Sequence, residues 1–128
     1  MRAAHWCLAV GAVVAAFNAA AADKGWVSLQ GKTLTQALAD QDFGDGVHFA
    51  YQFLQDGELG GMNMGKPAQG RWRAAGNELC WRWAKSKDSE ECYQVRQRGS
   101  AIRLYIDGQE VLSGNLTPLP PNPTEVSR

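Results

Sequence analysis

The chain has 128 residues, 45% of them hydrophobic, with 13 basic and 13 acidic side chains. That length suits a single domain with one core. Balanced charge gives no long-range field to draw nucleic acid, so a nucleic-acid partner is not expected.

Met1, Arg2 and His5 open the chain, an apolar stretch runs from Trp6 to Phe17, and the small residues Ala19 to Ala22 precede Asp23 and Lys24. This is the three-part layout of a secretory signal with an A-x-A cleavage site. The apolar core is too short for the roughly 20 residues of a membrane-crossing helix. Residues 1–22 therefore read as a signal peptide, residues 23–117 as one exported domain, and its address as periplasmic or secreted. No membrane span is expected after cleavage. Cys7 lies near the start of the apolar core, where it leaves with the signal. Loss of Arg2 from thirteen of each sign leaves the mature chain a net charge of -1.

After Gly25 to Leu29 comes a short helical candidate from Thr33 to Ala39. Thr33 stands as its cap, and Leu34, Ala37 and Leu38 form one apolar stripe. Asp40, Asp42, Gly44, Asp45 and Gly46 read as a solvated acidic loop; the spacing lacks the closing glutamate of a calcium loop. From Val47 the period becomes two. Val47, Phe49, Tyr51 and Phe53 alternate with His48, Ala50 and Gln52, as in a half-buried strand. Asp56-Gly57 then signals a hairpin, and Leu59 to Met64 returns as a weak, glycine-rich strand.

Strands follow at Gly70 to Ala74, Glu78 to Trp83, Glu91 to Arg96, Ile102 to Ile106 and Gln109 to Leu112, with turn residues between them. The fold class expected is all-β: a small antiparallel meander forming a barrel or sandwich, with one short N-terminal helix. Residues 118–128 are proline-rich and read as a disordered tail.

Register follows from the turns. Gly76-Asn77 pairs Trp72 with Trp81 and Ala74 with Leu79. Opposing Cys80 to Cys92 sets Leu79 against Tyr93. Gly99-Ser100 sets Val95 against Leu104, and Asp107-Gly108 sets Leu104 against Val111. The expected core face is Trp72, Leu79, Trp81, Tyr93, Val95, Ile102, Leu104, Ile106 and Val111. Cys80 and Cys92, an even pair in an exported domain, are expected to form a cross-strand disulfide. With His48 as the single mature histidine, they fall short of a zinc site, and neither a metal nor another cofactor is expected.

The opposite face collects Arg71, Arg73, Arg82, Arg96 and Arg103. Two readings stay open for it: an anion-binding face, or a solvated surface balanced by Glu78, Asp88, Glu90 and Glu91.

At Gly70-Arg71-Trp72-Arg73, Leu79-Cys80-Trp81, Cys92-Tyr93-Gln94-Val95 and Ile102 to Gly108, the chain resembles a family of small exported proteobacterial proteins of unknown function. The likeness covers the second half of the mature chain well and the first half loosely. The Gly70-Arg71-Trp72 motif is also similar to the G-x-W of lipocalin-like barrels, in which a tryptophan closes one end. The resemblance implies a β-barrel and an exported address, and it carries no catalytic residues.

No nucleophile stands with a base, and no phosphate-cradling loop or histidine-carboxylate set occurs, so the chain is not expected to be an enzyme. Two functions remain. One is binding of a small apolar or amphipathic ligand by Phe49, Tyr51, Phe53, Trp72, Trp81 and Trp83. The other is a protein-interaction module, an envelope accessory or inhibitor, anchored by Trp83 and Met62 to Met64. In a third reading, most of these aromatics simply fill the core.

Overall fold

Two-residue turns and strict alternation set the strand order of this chain. A computed structural model describes residues 24–120 together with Gly11; the signal-peptide reading and most of the tail lie outside them. The strands are β1 (Val27–Leu29), β2 (Gln41–Gly44), β3 (Phe49–Phe53), β4 (Glu58–Asn63), β5 (Lys66–Pro67), β6 (Gly70–Ala75), β7 (Glu78–Trp83), β8 (Glu91–Arg98), β9 (Ala101–Ile106) and β10 (Gln109–Pro118). The helix α1 spans Gly31–Leu38.

Every strand pairs antiparallel. The order β8-β7-β6-β4-β3-β2-β10-β9 returns to β8, which closes an eight-stranded barrel without a free edge. β5 pairs with β4, and β1 with β8. β7 pairs with β8 over Glu91 to Tyr93, and β1 takes Val95 to Gln97, so the two share one edge of β8 while β9 takes the other.

The expected pairs Trp72–Trp81, Ala74–Leu79, Leu79–Tyr93, Cys80–Cys92 and Val95–Leu104 all occur. One pair does not. A β-bulge shifts β10 between Glu110 and Leu112, so Leu104 faces Leu112 rather than Val111. Val111 is left unpaired in the bulge and is 48% exposed; Ile106, at the end of β9, is 42% exposed. These two leave the core list, and its other members are buried.

Three further expectations change. The acidic loop is a loop only from Asp45, because Gln41–Gly44 forms β2 between β3 and β10. Its sole large apolar residue, Phe43, points into the core at 1% exposure, too little to display a period of two. Val47 lies outside β3 and is 82% exposed. At the other terminus, Pro118 belongs to β10 opposite Gln41, and the Leu119 N–H donates to the Asp40 carbonyl at 3.0 Å, so the tail begins later than residue 118. Pro118 sits at the strand end, where its missing N–H costs no ladder bond.

α1 starts after Gln30, earlier than expected, and Thr33 does not cap it. Its stripe holds: Leu34 and Leu38 are fully buried. The Gly31 N–H donates to the Gly76 carbonyl at 3.0 Å, docking the helix start on the β6–β7 turn. Strand directions place the 53–58, 75–78 and 98–101 turns at this end. The 44–49, 63–70, 83–91 and 106–109 connections lie at the other.

Near the helix end the barrel is solid. Phe43, Phe53, Leu59, Leu79, Ile102 and Leu104 are at most 1% exposed, and the Phe53 ring lies 5.3 Å from that of Trp72.

Gly61 in β4 has φ 123, and a Cβ there would sit 1.9 Å from the Ala50 carbonyl oxygen. Gly61→Ala is therefore expected to cost more than about 1 kcal/mol, read as a lower urea midpoint. An unchanged midpoint would contradict the close β3–β4 approach.

Candidate functional site

At the end away from α1 the buried aromatic core borders an open cleft. Tyr51 on β3, Trp81 and Trp83 on β7, and Tyr93 on β8 all point inward by the alternation that buries Phe53, Leu79 and Val95 below them. With Glu91, Cys92, Ile106, Val111 and Leu112 they line an open cavity of about 390 Å³. Trp81 sits at the centre of the rings: 4.6 Å from Tyr93, 5.7 Å from Tyr51 and 6.3 Å from Trp83, with Tyr51 5.0 Å from Trp83. Edge-on and tilted contacts of this kind are the favoured aromatic geometry.

Polar groups in this wall are few. The Tyr93 hydroxyl donates to the Glu91 carboxylate, and the Tyr51 hydroxyl donates to Asn63 Oδ1 at 3.3 Å. Burial raises both phenols, Tyr51 further through the charges of Asp45 and Glu91, and Tyr93 further through its bond to Glu91. The Trp81 Nε1–H is buried with no hydrogen-bond partner among the described residues.

The six aromatic candidates thus divide. Tyr51, Trp81 and Trp83 line the cavity. Phe49 lines two adjoining clefts of about 480 and 440 Å³. Phe53 and Trp72 do not reach the cavity and fill the core beneath it; the Trp72 Nε1–H donates to the Leu54 carbonyl at 2.8 Å. Among the residues of the interaction reading, Met62 and Met64 are 42% and 68% exposed.

No family model matches the chain, and neither does any curated protein or solved structure. The motif resemblance therefore stands on its residues alone.

The expected disulfide Cys80–Cys92 is formed, with the Cα atoms 4.0 Å apart. It lies on the outer face, yet Cys80 is only 1% exposed. Arg73 faces Cys80 across the sheet and forks onto Glu90, with Nε donating to Oε2 at 2.9 Å, and Glu90 Oε1 is 3.9 Å from Cys92 Sγ. The ion pair raises the Arg73 guanidinium and lowers the Glu90 carboxyl. Cys80, Cys92 and Glu90 are close enough for metal ligation, but the sulfurs are joined to each other.

The other arginines of this face carry groups of their own. Arg71 is 3.6 Å from Glu58, Arg103 is 3.6 Å from Glu110 and lies 4.0 Å over the Trp26 ring, and Arg96 lies 4.8 Å over the Tyr105 ring. Arg82 is exposed, and its charge reaches Glu90. This pairing favours a solvated outer surface over an anion site.

His48 is an exposed residue of the 44–49 turn. Asp45 organises that turn: its Oδ1 accepts the N–H groups of Val47, His48 and Phe49 at 2.8, 2.6 and 3.2 Å, and its Oδ2 lies 2.7 Å from His48 Nδ1. These bonds, the Val47 one foremost, hold the carboxyl well below the usual carboxylate range.

Sequence reasoning placed Glu91 among the acids balancing the outer arginine face, whereas it stands opposite the inward Trp81 and lines the cavity; it assigned Tyr93 to the core, where it is, and Ile106 and Val111 to the core, where they are not. One signal was available for Ile106 and Val111: both flank the Asp107-Gly108 turn, and strand ends at an open barrel mouth are wet.

Proposed function

We propose that this chain is an exported, non-enzymatic protein of the periplasm or extracellular space that holds a small apolar or amphipathic ligand in the mouth of its barrel. The observation that carries the reading is the aromatic cavity of about 390 Å³ above a solid core, a volume within the range of small-molecule sites. The walls are large rigid side chains on strands, which bind without first being ordered. In this reading the domain works in the lipocalin manner, with a closed barrel presenting a ligand site at one end. Two features support export: the N-terminal residue pattern, and a disulfide suited to an oxidising compartment.

Native mass spectrometry of protein recovered from its exported fraction is expected to show a bound small molecule released on denaturation. Trp83→Ala, which removes a partly exposed wall while leaving the core beneath, is expected to weaken that binding about tenfold or more. A protein companion in place of a small molecule would overturn the ligand reading in favour of an interaction module anchored by Met62, Met64 and Trp83.

A further inference from the structure

We infer that the ligand of the barrel mouth is an organic ammonium cation carrying an apolar chain, held against the aromatic wall of Trp83, Tyr51, Trp81 and Tyr93 and paired with the Glu91 carboxylate. The inference rests on the proposed reading of the mouth as a ligand site and adds the ligand's charge to it.

Four aromatic rings on three strands converge on this cavity, with neighbouring ring centres 4.6 to 6.3 Å apart. The rings pack edge-on and tilted on one another, with Trp83 the partly exposed member, and an aromatic wall of this kind attracts alkylammonium groups through the ring quadrupole. Apolar filling alone does not explain the remaining polar wall group. Glu91 lines the cavity, and among the described residues no lysine, arginine or histidine does. The hydroxyl bonded to the Glu91 carboxylate belongs to Tyr93, one of the wall rings, so the carboxylate is fixed beside the aromatic wall by a neutral donor that leaves its charge in place.

Asp45 and Glu110 line the adjoining cleft, which shares Val111 and Leu112 with the mouth; there Asp45 is paired with His48 and Glu110 with Arg103, so Glu91 is the carboxylate that sets the sign at the mouth itself. A neutral ligand would strip water from Glu91 without replacing it, and an anion would meet a carboxylate with no cation to offset it. Ile106, Val111 and Leu112 supply an apolar strip for a chain attached to the ammonium.

The test uses three probes that share one alkyl chain, octyltrimethylammonium, octanol and octanoate, titrated into the full exported domain by calorimetry and tryptophan fluorescence. Octyltrimethylammonium is expected to bind at least about tenfold tighter than octanol, and octanoate weaker than both. Glu91→Gln is expected to remove most of the cation's advantage by weakening octyltrimethylammonium, with octanol bound no more weakly than before. Asp88→Asn, a carboxylate of the same 83–91 connection that does not line the cavity, should leave all three affinities unchanged. Equal binding of the three probes, or preference for octanoate, would overturn the inference and leave the mouth a charge-blind apolar site. Failure of all three to bind would overturn the ligand reading itself.

Discussion

Replacing Trp72 by alanine is expected to lower stability by about 3 to 5 kcal/mol, the range for truncating a buried aromatic side chain. Trp72 is 7% exposed, faces Trp81 across the β6–β7 ladder, packs edge-on to Phe53 at 5.3 Å and donates its indole N–H to the Leu54 carbonyl at 2.8 Å. Alanine loses the packing on both rings and the tie between β6 and the β3–β4 turn. Trp72→Phe keeps most of the ring volume and loses the bond, so it should cost less, with about 1 kcal/mol of its loss due to that bond. Urea denaturation followed by far-ultraviolet circular dichroism measures both. A loss below about 1 kcal/mol for the alanine variant would contradict Trp72's place in the core.

Double replacement of Cys80 and Cys92 by serine is expected to cost about 2 to 4 kcal/mol in exported, oxidised protein. The crosslink spans a sequence separation of 12 and ties β7 to β8 across the 83–91 connection, where the β-ladder covers only Leu79 to Trp81. Without it the unfolded chain regains loop entropy, and β7 and β8 are held by that short ladder alone. Because Cys80 is 1% exposed and Glu90 lies against Cys92, reduction of the folded domain should also be slow. Thiol titration of folded exported protein that finds two free, readily alkylated cysteines would contradict the crosslink, and equal midpoints for the oxidised and doubly substituted proteins would contradict its contribution.

The stretch from Trp72 to Leu104 was legible in the sequence because Gly76-Asn77 and Gly99-Ser100 mark short turns, the Cys80–Cys92 pair sets the register across the longer 83–91 connection, and each strand keeps a strict period of two. Independent turns then agree on one face, and Trp72, Leu79, Trp81, Tyr93, Val95, Ile102 and Leu104 are buried as that face requires. Prediction fails where one residue breaks the count. The bulge after Glu110 inserts Val111, and no glycine or proline in that stretch marks it. β2 escaped because a four-residue strand with Phe43 alone pointing inward has no period to show. Its place is fixed by β3 and β10, and β10 pairs with it from far along the chain.

The candidate site was legible in kind but not in depth. Alternation tells which face a side chain is on; it does not tell how far along the barrel axis that side chain lies. Phe53 and Trp72 share the inner face with Tyr51, Trp81 and Trp83, yet the first two lie toward α1, whereas Tyr51 and Trp81, no less buried than Trp72, border the open mouth and Trp83 is partly exposed there. Closure of the ring separates them. The pair β10–β2, without which the ring stays open, joins residues that no local pattern connects.

Chemical-shift mapping of the backbone amides and indole N–H groups during titration with octyltrimethylammonium tests most directly whether the barrel mouth is the ligand site. The account predicts large shifts at Tyr51, Trp81, Trp83, Glu91, Tyr93, Ile106 and Val111, with the Trp81 and Trp83 indoles among them, and little change at Leu34, Leu38, Phe53 or Trp72. Shifts concentrated at the helix end, or a spectrum that does not respond to the probe, would contradict it.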